Sequence, residues 1–300
     1  MIEKIKKLKK IPRIIQHNYF YHLQKFGLAN YFINKHIHAL GEDEILSELK
    51  KNKVFISPED YENALNCEIL KSYKTNIWKP HTKILEYLTS ELILKPENGD
   101  TLLDAAGGYE SEFARYICDK KNITVYCQDA NKIKNPHSDI QNFKFIRGSV
   151  DKIPLPEKSI DLITCHHSFE HFEGDLDIKF IKECTRLLSK KGKLLITPIF
   201  LTNNYCEITN LFSKKKYYDP DAKFFYDPTA SFPGWGDFQG FARTYDNEAF
   251  QKRILKNISG EFIVEIYSVF FENEPAPKFN YAYYQPKLNM NMKALLIKRK

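Results

Sequence analysis

The stretch Thr101–Phe113, "TLLDAAGGYESEF", decides the fold. Its first residues form an apolar run ending in an acid, Asp104. Four small residues follow, Ala105, Ala106, Gly107 and Gly108, and then the start of a helical pattern. A turn that brings backbone N–H groups close to a ligand needs small residues, because a Cβ would collide. The N-terminus of the next helix favours negative partial charge. A second acid, Asp129, closes the next apolar run 21 residues after Gly108. That spacing suits a carboxylate holding the two hydroxyls of a ribose.

Outward from this point strands and helices alternate. "ITVYCQD", "FKFIRG", "IDLITCHH" and "KLLITPIF" read as strands, and "SEFARYICDK" and "LDIKFIKECTRLLSKKG", ending at Gly192, as helices. Near-continuous apolar strands separated by helices mark a parallel sheet covered on both faces. "YDNEAFQKRIL" then reads as a helix, with "FIVEIYSVFFEN" and "MKALLIKRK" as closing strands.

Upstream, residues 1–52 read as a basic helical extension. Ile2, Ile5 and Leu8 recur at helical spacing among lysines. Residues 53–98 read as a helical cap, with Ser57 and Pro58 as a helix start and "PENGD" as its closing turn. The net charge is +7, and residues 1–40 hold eight Lys and Arg against one acid, which accounts for all of it. The even balance elsewhere argues against a nucleic-acid partner, which calls for a basic patch on the functional domain. The basic end suits either a solvated terminus or peripheral contact with an anionic membrane face, at about 1 kcal/mol per basic residue. Six scattered cysteines lack metal-ligand or disulfide spacing and point to a reducing, cytoplasmic setting without zinc. No apolar run approaches the ~20 residues that span a bilayer.

The run from "LLDAAGG" through "CQDAN", "FIRGSVDKIPLPEKSIDLITCHHSFEHF" and "KECTRLLSKKGKLLITP" resembles the class I S-adenosylmethionine-dependent methyltransferases, in the branch often called type 11. The resemblance covers about residues 100–200. It implies a Rossmann-like α/β fold: a seven-stranded, mostly parallel sheet with its last strand antiparallel, sandwiched by helices. A methyltransferase domain would then occupy 99–300, with a substrate-covering insertion at 201–245. S-adenosylmethionine would be held by Asp104, Ala106, Gly107, Gly108, Asp129, Ser149, Val150 and His166, with Asp104 near the methionine amino group and Asp129 on the ribose. The family's three spaced turn glycines stand here as Ala106, Gly108 and Glu110, and its adenine-side carboxylate is Ser149.

Methyl transfer from a sulfonium asks mainly for positioning, worth ~7–11 kcal/mol. A hydroxyl acceptor also needs a base, which contributes about 10²- to 10⁴-fold. His166, His167 and His171 cluster at the mouth of the fourth strand and are the candidates. Within 217–238 eight aromatics mix with four aspartates, a composition suited to sugar rings. Tyr226, Trp235 and Arg243 are the candidate acceptor contacts, Arg243 as partner of an acidic group. The expected function is O-methylation of a sugar hydroxyl on a cell-surface glycan or on its lipid- or nucleotide-linked precursor. The alternatives are another small-molecule acceptor, or a catalytically degenerate scaffold at the membrane, a reading motivated by Glu110 and the lost glycines. No metal is expected, since no loop spacing supports one.

Overall fold

The computed structural model describes residues 37–75, 81–108, 111–131, 140, 142–209, 218–226, 241–276 and 291–300. Five parallel strands form one half of the main sheet, with β4 at its edge: β2 (Thr101–Ala105), β3 (Thr124–Asp129), β4 (Phe143–Arg147), β5 (Ile160–His166) and β6 (Leu188–Thr197). β10 (Phe262–Phe271) and β12 (Lys293–Arg299) extend it, in the order β10-β12-β6-β5-β2-β3-β4, and the short β11 (Glu274–Pro275) pairs with β10. β12 is antiparallel to both of its neighbours. These seven strands are the sheet expected from the sequence.

Both faces are covered because the strands are apolar on both sides. One face packs α1 (Pro58–Leu65), α2 (Thr82–Leu94) and α3 (Glu112–Lys120) through Leu65, Ile84, Leu88, Phe113 and Ile117. The other packs α4 (Leu176–Leu187) and α5 (Asn247–Arg253) through Phe180, Ile181, Cys184, Leu187 and Phe250. The six cysteines are free. Burial pushes the Cys165 and Cys184 thiols well up, so both behave as small hydrophobes.

Three segments and one side chain differ from the sequence expectation. Residues 50–56 form a strand, β1, where helix was expected; it pairs in parallel with β10 and adds an edge to the sheet. Its lysines Lys50, Lys51 and Lys53 suit an exposed edge, where charge blocks pairing with another chain. α4 stops at Leu187 rather than running on to Gly192, because residues 188–192 already belong to β6. Within 201–245, expected only as a covering insertion, β7 (Cys206–Thr209) pairs with β8 (Lys223–Tyr226) and β9 (Phe241–Thr244) in a small second sheet.

Arg243, expected to meet the acceptor, is instead fully buried on β9 of that small sheet. Its guanidinium donates to Glu207 Oε1 at 2.7 Å, to the Phe172 and Gly174 carbonyls, and lies 3.0 Å from Asp177 Oδ2. Arg253 and the Tyr245 hydroxyl also donate to Asp177. A cation enclosed by two carboxylates and two carbonyls has no face open to a ligand; it ties α4, β7, β9 and α5 together. Removing one partner of a buried ion pair leaves uncompensated charge and costs about 3–5 kcal/mol. Arg243→Ala should therefore lower the unfolding free energy in urea by about that amount, and a loss no larger than that of an exposed-site control would contradict this role.

Candidate functional site

The site lies at the carboxyl ends of β2, β3 and β5, where ligands of open α/β sheets bind. The turn after β2 is held by Gln128. Its side-chain oxygen accepts from the Ala106 N–H at 3.1 Å, and its backbone oxygen accepts from the Gly107 N–H at 3.1 Å. Its amide nitrogen in turn donates to the Gly148 carbonyl at 2.5 Å. One buried side chain thereby sets the β2 turn against the β4 turn. Ala106 sits at φ +52, a left-handed conformation that costs a non-glycine residue ~1–3 kcal/mol. The Gln128 contact and the Ser168 hydroxyl, which donates to the Ala106 carbonyl at 3.0 Å, hold it there. Gly107 has no substitute: a Cβ on it would lie 2.5 Å from Asp104 Oδ2. Gly108, at φ +73, donates to Asp129 Oδ2 at 3.0 Å.

Asp104 is buried and joins three elements, β2, β5 and the start of α3. It accepts from Ser111 Oγ at 3.0 Å and from Thr164 Oγ1 at 2.9 Å, and its Oδ1 lies 3.5 Å from His166 Nδ1. His166 Nε2 contacts Ser90 Oγ at 2.7 Å, with Tyr87 and Phe113 edge-on to the ring. The row Ser90–His166–Asp104 has the residue types of a nucleophilic triad. Ser90 is wholly buried inside α2, however, so the row fixes the helix on the sheet and presents no nucleophile to a substrate.

A second imidazole row stands beside it. His167 follows β5 at φ +50 and turns its Nδ1 to Glu86 Oε1 at 2.5 Å. Glu86 is fully buried, four residues before Ser90 on α2 and so on the same helix face. Burial alone would raise its carboxyl, but His167 and Lys83 outweigh that and hold it down at about 2. His171 turns its Nδ1 to the Phe241 carbonyl at 2.5 Å. Glu170 lies between them, 4.0 Å from His167 Nε2 and 3.6 Å from His171 Nε2. At the N-cap of α2, desolvation lowers the His81 pKa, and Glu86 only partly opposes it. The Tyr73 and Tyr87 hydroxyls both donate to Glu112.

This geometry joins a nucleotide-type turn to a buried set of imidazoles and carboxylates. Among known proteins, the family described as "Methyltransferase domain" matches residues 103–196. Residues 103–196 are a methyltransferase domain. A demethylmenaquinone methyltransferase of Thermotoga maritima is 28% identical over 116 residues, covering 38% of this chain and 49% of that protein. The methyltransferase YcgJ of Bacillus subtilis is 33% identical over 58 residues, covering 19% of this chain and 22% of that one. The chain spans about half the length, or less, of these curated relatives. A solved S-adenosylmethionine-dependent methyltransferase of Clostridium acetobutylicum aligns over 76% of this chain and 96% of its own at 17% identity, with a TM-score of 0.45.

The methyltransferase domain brings Asp104, Ala106, Gly107, Gly108 and Asp129 to one end of the sheet. Val150 is buried and Ser149 exposed in the turn after β4, beside Gly148, whose N–H donates to the Asp129 carbonyl at 3.0 Å. These residues fit a nucleoside donor. The cradle at Gly107 admits no side chain, and Asp129 spends its carboxylate on two backbone N–H groups, of Gly108 and Asn131, leaving further lone pairs for hydroxyls. Glu110 and Trp235 lie outside the described residues, as do residues 1–36 of the basic end. Tyr226 ends β8, with its backbone paired to Thr209. Gln128, Glu86, Ser90 and Glu170 did not stand out in the sequence. Among the described residues no helix is long and apolar enough to cross a membrane.

Because the Glu86 carboxyl is held below its ordinary 4.5, its charge stabilises the fold above that value. This contribution is lost as the pH falls from about 4.5 towards about 2. Urea midpoints measured across that window should fall less steeply for Glu86→Gln than for the wild type, and parallel curves would contradict the assignment.

Proposed function

We propose that the chain transfers a methyl group from S-adenosylmethionine to a hydroxyl of a small molecule, with a sugar as the acceptor class. The observation that carries this reading is the fixed His167 imidazole at the end of β5, beside the small-residue turn. S-adenosylmethionine, when bound, supplies an electrophilic methyl on sulfur. Asp129 would take the ribose hydroxyls, Ser149 and Val150 would border the adenine, and Asp104 would stand near the methionine amino group.

The chain's own task is to orient the acceptor and remove its proton. Glu86, ionised and acceptor-only, requires the His167 Nδ1 to carry a hydrogen, so Nε2 is the atom that takes the acceptor's proton. The carboxylate also stabilises the imidazolium that results, as in other carboxylate–histidine pairs. His166, engaged at both nitrogens, serves as a positioning residue between α2 and Asp104. Support for a sugar comes from the aromatic and acidic composition of 217–238, and a glycan or its lipid- or nucleotide-linked precursor is the natural source of such a hydroxyl.

The test is incubation of the protein with methyl-labelled S-adenosylmethionine and extracts containing nucleotide sugars and glycans. Label is expected in the sugar fraction, and His167→Ala should lower its rate of appearance by about 10²- to 10⁴-fold while S-adenosylhomocysteine still binds. Label confined to protein or nucleic acid would contradict the acceptor class.

A further inference from the structure

Glu170 is buried to about 1% side-chain exposure, and among the described residues neither of its oxygens has a hydrogen-bond partner. An isolated buried carboxylate is costly, and its charge must be balanced locally. Two imidazoles lie within 4.0 Å of it, and the structure fixes the tautomer of each. His167 Nδ1 faces the ionised Glu86, and His171 Nδ1 faces a backbone carbonyl; both partners only accept, so both Nδ1 atoms carry hydrogen. The atoms left to gain or lose a proton are the two Nε2 atoms, and both face the same oxygen, Glu170 Oε1.

We propose that Glu170 is a positioning residue through which His167 and His171 share a proton, so that the proton taken from the acceptor leaves the buried site through His171. The proposal rests on the methyltransferase reading for the source of that proton. The separations of 4.0 and 3.6 Å exceed a hydrogen bond by about 0.5–1 Å, so a side-chain movement of that size must bring the carboxylate onto either imidazole before a proton passes. The acceptor O–H bond breaks as an N–H bond forms at His167 Nε2. That proton passes to a Glu170 oxygen, then to His171 Nε2, and then to water. The His171 side chain is 24% exposed and His167 only 16%, which sets the direction of exit.

The other charged groups around the row leave this assignment intact. Lys83 of α2 pairs with Glu86, and Asp104 faces His166. Glu112 accepts from two tyrosines, and Arg243 of β9 is enclosed by Asp177 and Glu207. His81 caps α2 by accepting from the Lys83 N–H. Among the described residues no three His, Cys, Asp or Glu side chains stand at the spacing of a metal site, which favours a proton over a cation between the imidazoles.

Long-range ¹H–¹⁵N spectra of the full chain with ¹⁵N-labelled histidine, recorded at neutral pH, read the sharing directly. The wild type should show hydrogen on both Nδ1 atoms and Nε2 signals averaged between protonated and lone-pair positions. Glu170→Gln should move both Nε2 signals to the lone-pair position, and Glu170→Asp should restore part of the average. Unchanged Nε2 signals in Glu170→Gln would overturn the proposal. So would Nε2–H, Nδ1-lone-pair tautomers, or Nε2 signals that respond only to added zinc or manganese. If Glu170→Gln fails to fold, Glu170→Asp decides alone by whether its Nε2 average differs from the wild type. S-adenosylhomocysteine calorimetry on the same samples tests the methyltransferase reading separately: no heat with the wild type defeats that reading and leaves the spectra to judge the shared proton.

Discussion

One buried carboxylate, Asp104, sets the geometry on which the rest of the site depends. It stands at the end of a central strand, accepts hydrogen bonds from β5 and from Ser111 at the start of α3, and faces His166. Its Oδ2 also lies where a Cβ of residue 107 would project. The same carboxylate therefore fixes the strand ends, the helix start and the identity of the turn residue. Desolvating it is tolerable because its hydroxyl partners are themselves buried and aligned.

α2 makes the second half of the site. Its polar residues Glu86 and Ser90 are one turn apart and fully buried, each facing one of two consecutive histidines. Consecutive strand residues point to opposite sides, so both imidazoles can meet one helix only because His167 leaves the strand at φ +50. That residue and Ala106, both at positive φ, stand on either side of the β2–β5 mouth, and each carries a backbone cost of ~1–3 kcal/mol.

Much of this was legible in the sequence because it follows from short-range rules. Apolar runs with small-residue turns gave the strands of the main sheet, and the interval from Gly108 to Asp129 located the two acids beside the turn. The three histidines stood out by falling within six residues at the end of one strand. The parts that escaped depend on long-range packing. Glu86 and Ser90 read as polar positions of a surface helix, since spacing alone does not say which face the sheet takes. Gln128 sits in an apolar strand pattern with no motif around it, yet its side chain binds two turns. β1 was hidden because an edge strand rich in lysine looks like a solvated helix. Arg243 was misplaced for a related reason: a lone arginine signals an anion, and its anions, Asp177 and Glu207, lie far off in sequence.

The central claim is that the β2 turn, with Asp104 beneath it and Asp129 beside it, holds the methyl donor. Its most direct test is calorimetry with S-adenosylhomocysteine on the wild type and on Gly107→Ala, where the added methyl would strike Asp104 Oδ2. The account predicts heat of binding for the wild type and a loss of at least about tenfold in affinity for the variant, roughly 1.4 kcal/mol. Equal binding by both proteins, or none by the wild type, would contradict it.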